Sequence, residues 1–446
     1  MINSDNKNLA MRAGRGALWL ATGGAIEQGL RLVRNLVLTR ILAPEAFGVL
    51  AIVLAVNQAF ETFTEVGIQT AIIQNPRGQE RTYLNGAWWL SLARAIMLYA
   101  IAFVSAPWIA AFYNHAELVP LMRVAFLAIL FKAAMSPELH AAVKAMKFDR
   151  WTAAQQGGGV VGIIVALVLA TITRNVWALA IGFIVEAAAR CILSYVVCPF
   201  RPSLQVDRDH LTALLRYTRG IAGLPILTFL FTRTDVFVIG KLCSIDELGL
   251  YSMVAAIAQM PMQFVGNIIA PVTMPAFAEM QHDLSRVNRA LASIIKTVAL
   301  IGVPALIFVS VFGKNILELL YGAPYAAVSM PFAILTATSL LQILSVPVVT
   351  LYLAIGKPEL HRKFAAFRMA LLLALIYPAV SSFGLIGAAA AGLIAMIAGT
   401  IVQLHYLGKL TGFKLNTFAL MNRKTAPPRA TNGLTSIVQR IKAANG

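Results

Sequence analysis

Charge is scarce in this sequence. Of 446 residues only 13% are Asp, Glu, Lys or Arg, about half the share of a usual soluble domain. A long polar stretch is missing too, so there is no place for a soluble catalytic domain. Cysteine is limited to Cys191, Cys198 and Cys243. They lie in or beside apolar runs without metal-ligand spacing, which makes them packing residues. The six histidines are scattered, and neither an HExxH pair nor a Walker loop is present. These absences argue against zinc chemistry and ATP hydrolysis. No catalytic residue, metal site or cofactor is expected, and the chain reads as not an enzyme.

Apolar residues are what the sequence has in abundance. They make up 59% of the chain, and the mean hydropathy is +0.75. A water-soluble core could not hide that much apolar surface, so lipid must be the solvent for much of it. A spanning helix needs about 20 mostly apolar residues. Such runs fall at 17–39, 46–73, 85–112, 118–140, 153–173, 177–199, 213–240, 248–277, 291–312, 327–354, 364–381 and 386–408. The expected fold is therefore an all-α polytopic membrane protein of about twelve transmembrane helices. The first run carries Glu27, Arg31 and Arg34, which identifies a retained helix rather than a cleaved signal.

The net charge of +18 arises from 37 basic and 19 acidic residues. No basic-plus-aromatic module accompanies it, so nucleic acid is not an expected partner. The loops instead alternate in charge. With the N-terminus in the cytoplasm, about 26 basic residues fall on that side, Lys357, Arg362, Lys363 and Arg368 among them. Only Arg40, Arg174, Lys241 and Lys314 fall outside. This asymmetry orients the chain in the bacterial inner membrane with both termini cytoplasmic. The organisation that follows is a cytoplasmic N-terminus at 1–16, six-helix lobes at 17–205 and 206–410, and a basic cytoplasmic tail at 411–446.

The two lobes are copies. TRILAPEAFGVLAIVLAVNQ at 39–58 lies over GKLCSIDELGLYSMVAAIAQ at 240–259. Arg40 then falls on Lys241, Glu45 on Asp246, Gly48 on Gly249 and Gln58 on Gln259. Further on, Gly182 falls on Gly392. Six helices is an even number, so both copies enter from the same side and the repeats are parallel.

Polar residues inside the runs concentrate on the first two helices of each copy. Glu27, Arg31 and Arg34 share a helix face, as do Gln58, Glu61, Glu65 and Gln69. In the second copy Thr228, Thr232 and Asp235 form a stripe with Arg233 beside it, and Gln259, Gln263 and Asn267 form another. Intramembrane polar groups are costly and mark substrate paths, so these four helices are expected to line a shared wet cavity. The competing reading is that the charges pair within the bundle, Glu27 with Arg31 and Glu186 with Arg190 at i,i+4. Three prolines, Pro261, Pro271 and Pro275, predict a bent eighth helix. Gly157-Gly158-Gly159 predicts a close helix contact or a hinge.

The segment RLVRNLVLTRILAPEAFGVLAIVLAVNQAFETFTEVGIQTAIIQ at 31–74, with its R-x-L-x-P-x-x-F-G turn, resembles the start of Wzx-type polysaccharide flippases. TRTDVFVIGKLCSIDELGLYS resembles their seventh helix and following turn. These form the exporter branch of the multidrug/oligosaccharidyl-lipid/polysaccharide superfamily. The resemblance implies a V-shaped two-lobe transporter working by alternating access. Its cargo would be an undecaprenyl-diphosphate-linked oligosaccharide for surface polysaccharide biosynthesis. Arg31, Arg34 and Arg233 fit the role of binding the diphosphate, with Gln58, Gln259, Gln263 and Asn267 as sugar-facing walls. Glu61, Glu65 and Asp235 are candidate ion-coupling acids. Membrane lipid, a polysaccharide polymerase and a chain-length regulator are the expected partners. Two other readings stand beside it: a multidrug cation antiporter of the same superfamily, and a membrane enzyme of polysaccharide assembly. The first wants a net-acidic first-lobe cavity, and the second a large outer loop.

Overall fold

A computed structural model of the chain describes residues 2–64, 67–205, 223–280 and 282–412. Helices joined by short turns account for nearly all of them, and no strand occurs among the described residues. The first half contains α1 (Ile2–Ile41), α2 (Pro44–Thr64), α3 (Ile68–Gln74), α4 (Arg81–Tyr113), α5 (Leu118–Ala125), α6 (Leu127–Ala133), α7 (Glu138–Lys144), α8 (Phe148–Thr173) and α9 (Val176–Val197). The second contains α10 (Gly223–Leu242), α11 (Ile245–Met280), α12 (Leu284–Tyr321), α13 (Ser329–Ala354) and α14 (Pro358–Thr411). The boundary at 205/206 borders undescribed residues. Nearly all of the 411–446 tail, and Glu65, lie outside the described residues.

Among the described residues, eight helices are long and apolar enough to cross a membrane unaided. The bent pair formed by 118–133 and 138–144, angled at 56°, makes a ninth passage. One of the eight, α14, is really two arms. Gly384 adopts φ 54° and ψ −132°, a conformation open to glycine without a Cβ clash, and the chain reverses there. The arms then pack on each other, so that a methyl on Gly387 would stand 1.8 Å from the Ala379 carbonyl oxygen. The rings of Phe364 and Tyr406 meet at 5.7 Å. The last two passages are α1 and α10, long enough to span but interrupted by charge. The twelve passages of the sequence reading are thus present. The two that fail on apolarity alone are the first helices of the two copies.

Local chemistry sets the ends of these helices. Both copies turn tightly between their first and second helices, by different means. In the first, Pro44 starts α2, where its missing N–H costs nothing. In the second, Ser244 and Glu247 form a reciprocal capping box. The Ser244 Oγ accepts from the Glu247 N–H at 3.2 Å, and the Ser244 N–H donates to Glu247 Oε2 at 2.9 Å. Asp283 caps α12 by accepting from the Arg286 N–H at 2.9 Å. The three prolines of α11 leave it a single 36-residue helix. The outward faces of α4 and α12 are apolar, with Ile96, Val104, Leu300 and Val311 all exposed, as lipid contact requires.

The lobes meet chiefly through α2 against α10 and α11. At the centre of this contact Gly48 and Gly249 cross. A methyl on Gly48 would stand 2.0 Å from the Ile245 carbonyl oxygen. One on Gly249 would stand 1.9 Å from the Pro44 carbonyl oxygen, and each would lie 3.0 Å from the other glycine's amide nitrogen. Pro44 and Ile245 are themselves equivalent in the repeat. The contact is therefore reciprocal, and the pseudo-two-fold axis passes between the two glycines.

A second reciprocal contact flanks the axis. Arg40 donates to the Leu319 carbonyl at 2.6 Å, and Glu318 lies at 3.4 Å. Its repeat partner Lys241 donates to the Phe112 carbonyl at 2.5 Å. Each cation thus sits at the carbonyl end of the third passage of the opposite lobe, where the helix dipole favours positive charge. One hydrophobic core, including Leu38, Val49, Ile52, Ile239, Leu248 and Tyr251, runs across the lobe boundary here. The lobes are packed shut at the end that holds the α1–α2 and α10–α11 turns.

Candidate functional site

The site is built on α1, which carries a row of charges and reaches the second lobe through Gln28. Helical spacing stacks Glu27, Arg31 and Arg34 on one side. Against them pack α8 and α9, which approach closely through glycine. A methyl on Gly158 would stand 2.3 Å from Arg190 Cγ, and one on Gly162 would stand 2.4 Å from Glu186 Cβ. The triple glycine therefore serves helix contact. Its effect is to bring Glu186 and Arg190 up to α1.

The two i,i+4 pairs of the sequence reading merge into one network. Arg31 Nη2 lies 2.8 Å from Glu27 Oε1 and 3.3 Å from Glu186 Oε1. Arg190 Nη2 lies 2.7 Å from Glu186 Oε1 and 3.5 Å from Glu27 Oε1. Gln156 donates to the second oxygen of Glu27 at 3.1 Å. Two cations and two anions make this cage neutral. A cavity of about 440 Å³ beside it, lined by Thr22, Ile26, Asp149, Arg150 and Gln156 among others, opens towards the end of the bundle away from the glycine crossing.

Arg34 stands apart. Its guanidinium donates to the Asn35 side-chain oxygen at 3.2 and 3.3 Å, and it joins no ion pair among the described residues. Arg233 reaches across the lobes, its Nε donating to Gln58 Oε1 at 2.8 Å. A second cross-lobe bond links Gln28 on α1 to Gln263 on α11. The candidate coupling acids are held separately. Glu61 accepts from Lys132 Nζ at 2.8 and 3.0 Å. Asp235 accepts from the Tyr251 hydroxyl at 3.1 Å and from the Val236 N–H at 2.8 Å. Gln259 is partly exposed on α11. Asn267 lies on the same helix, its side chain outside what is described, and Glu65 falls outside altogether.

The structure thus brings Gln58 together with Arg233 and draws Gln263 to the first lobe. It separates Arg31 from Arg34 in chemical character. The sequence reading did not anticipate Gln156, Gln28 or Tyr251 as partners, and it took Lys132 for a charge that pairs within the bundle or snorkels, without naming Glu61 as its partner. Of these only Lys132 carried a signal, as a lone cation within an apolar run.

Comparison with known proteins places this geometry. A sequence profile of the family described as polysaccharide biosynthesis protein matches residues 37–330. The lipopolysaccharide biosynthesis protein WzxC of Escherichia coli is 25% identical over 401 residues, covering 87% of this chain and 79% of its own. The succinoglycan biosynthesis transport protein ExoT of Rhizobium meliloti is 26% identical over 301 residues, covering 67% of this chain and 60% of its own. Among solved structures, the lipid II flippase MurJ in an inward closed conformation superposes with a TM-score of 0.73 at 14% identity, covering 96% of each chain. The last is a likeness of fold, and it extends over both lobes.

Proposed function

Because the chain belongs to the polysaccharide biosynthesis protein family, we propose that this multi-pass membrane protein is a flippase for a lipid-linked oligosaccharide repeat unit. The cargo is joined to undecaprenyl through a diphosphate and moves from the cytoplasmic to the periplasmic leaflet of the inner membrane, by alternating access. The observation that carries the reading is the pairing of a sealed end with uncaged arginines. Reciprocal contacts around Gly48 and Gly249 close one end of the lobe interface, while Arg34 and Arg233 form no ion pair among the described residues and donate instead to the amide oxygens of Asn35 and Gln58.

The lobes are 17–205 and 206–410, with 1–16 and 411–446 in the cytoplasm. In this orientation the sealed end is periplasmic, and the path to α1 opens from the cytoplasm. A diphosphate cannot cross the hydrocarbon bare. Arginine offers permanent charge and a planar set of donors to carry it. Arg34 and Arg233 bind the diphosphate, while the amides of Gln58, Gln259 and Gln263, joined by Asn267, receive sugar hydroxyls. The prenyl chain stays in lipid. Arg31 is neutralised by Glu27 and Glu186, so its role is to hold the wall. Return to the other state requires Arg40 and Lys241 to leave their carbonyls. Glu61, Glu65 and Asp235 are the acids through which an ion gradient couples to that step. A polymerase and a chain-length regulator act on the delivered unit. The cationic balance around α1 and α10 disfavours the antiporter reading, because a cation carrier needs the opposite sign.

A null strain provides the test. Lipid-linked repeat units should accumulate in the cytoplasmic leaflet and surface polymer should disappear, both restored by the intact gene. Normal surface polymer, or accumulation in the outer leaflet, would overturn the assignment.

A further inference from the structure

We propose that Arg368 forms a second oxyanion-binding site, located in the C-terminal lobe; this rests on the flippase reading above. Arg368 belongs by sequence to the basic residues assigned to a cytoplasmic loop. The structure moves it inside the bundle, the eleventh residue of α14 and so about 15 Å along the helix from Pro358. It stands five residues, about 7.5 Å of helix, beyond Lys363, the last of the charged residues that open α14.

Its surroundings repeat those of Arg190 with the acids removed. In each lobe the fifth and sixth passages pack through a glycine against an arginine stem. In the first lobe Gly158 on α8 meets Arg190 on α9. In the second the roles are exchanged, and a methyl on Gly399 would stand 3.3 Å from Arg368 Cβ. Arg190 is neutralised by Glu27 and Glu186. In the 201-residue register of the repeat, Glu27 corresponds to Thr228 and Arg31 to Thr232. The place of Glu186, four residues before Arg190, falls to Met396, three before Gly399.

Arg368 accordingly joins no ion pair among the described residues. Its Nη1 lies 3.2 Å from the Met396 sulfur, a weak acceptor. Its guanidinium carbon sits 4.1 Å above the Phe231 ring, which balances part of the charge but fills no donor. The buried Nε has no hydrogen-bond partner. The residue remains partly exposed, and on α10, which carries its Phe231 contact, Thr228 and Thr232 are exposed. A half-buried arginine with open donors, at the depth where the other lobe spends two carboxylates, fits a counter-charge that arrives with the cargo. That group is a carboxylate or phosphate, either an acidic substituent of the glycan or the diphosphate of the carrier.

The test uses the full chain in lipid nanodiscs, with thermal unfolding followed over concentration series of sodium pyrophosphate, an acidic tri-glucuronate and neutral maltotriose. Arg368→Gln should weaken apparent binding of at least one anion about tenfold, leave maltotriose unaffected, and be largely rescued by Arg368→Lys. Loss confined to tri-glucuronate assigns the site to the glycan, and loss confined to pyrophosphate assigns it to the carrier. Phe231→Leu, which keeps the charge, should weaken the same anion about threefold and serves if Arg368→Gln does not fold. Unchanged binding in the Arg368 and Phe231 variants, with loss in Arg34→Gln, would overturn this site alone. Unchanged binding in Arg34→Gln as well would overturn the cavity reading beneath it.

Discussion

The two lobes follow one backbone plan but treat charge in opposite ways. The first surrounds Arg31 and Arg190 with Glu27 and Glu186, a neutral cage that ties α1, α8 and α9 together. The second has Thr228 and Thr232 on the corresponding face of α10 and leaves Arg368 against a ring and a thioether. Ion pairs inside a membrane are strong glue only when complete. One lobe is thus braced by its charges, and the other keeps one in reserve. The difference gives the two copies of one helix plan different internal chemistry.

The largest effect should come from what the lobes share. Gly48→Ala and Gly249→Ala each drive a methyl into backbone about 2 Å away. Each should cost about 3 kcal/mol and abolish polymer export, measured by thermal unfolding and surface polysaccharide. Markedly unequal costs would break the reciprocal picture of the axis.

Next comes the division of labour on α1. Arg31→Ala leaves two carboxylates facing one arginine and should destabilise the protein by about 2–4 kcal/mol, discounted because the site keeps some solvent. Its abundance in the membrane should fall. Arg34→Ala should leave abundance intact and abolish polymer. If Arg34→Ala lowers abundance as Arg31→Ala does, both arginines are struts and the distinction is lost.

A smaller effect is expected at the flanking cations. Arg40→Met or Lys241→Met removes one of two equivalent cross-lobe bonds, each worth about 1.5–3 kcal/mol as a charged donor. Single variants should loosen the sealed end, read as faster labelling of a cysteine introduced beside Tyr113, and the double variant should exceed either. The smallest effect separates the two turns. Ser244→Ala removes half a capping box and should cost about 1 kcal/mol, while Pro44→Ala, with no side-chain cap to lose, should cost less.

Much of this arrangement could be read along the chain. Hydropathy is a running property, so it located the twelve passages and even the reversal between 381 and 386. The repeat put Gly48 over Gly249 before either was known to touch the other. Facing is a different matter. It depends on the rotation of each helix and on partners far off in sequence, such as Lys132 for Glu61 or Tyr251 for Asp235. Spacing suggested Glu27–Arg31 and Glu186–Arg190 as two local pairs. Only Gly158 and Gly162, by admitting α9 so close to α8, reveal them as one network. Arg368 was lost to its neighbours, because a cation near Arg362 and Lys363 reads as part of their loop. Equivalence in sequence did not always mean equivalence in place: Gly182 lies against Ala166, while nothing lies within 4 Å of where a side chain on Gly392 would begin.

The crossing of Gly48 and Gly249 also constrains what each copy can vary. A residue on a two-fold axis faces its own copy. A side chain at either position would enter the other copy's turn, and room made on one side would not relieve the clash on the other. Off the axis the two copies need not match, and Arg40 faces a different carbonyl from Lys241 while Ile245 stands where the first copy has Pro44. On the axis they must, because each glycine leaves room only for the backbone of the other's helix.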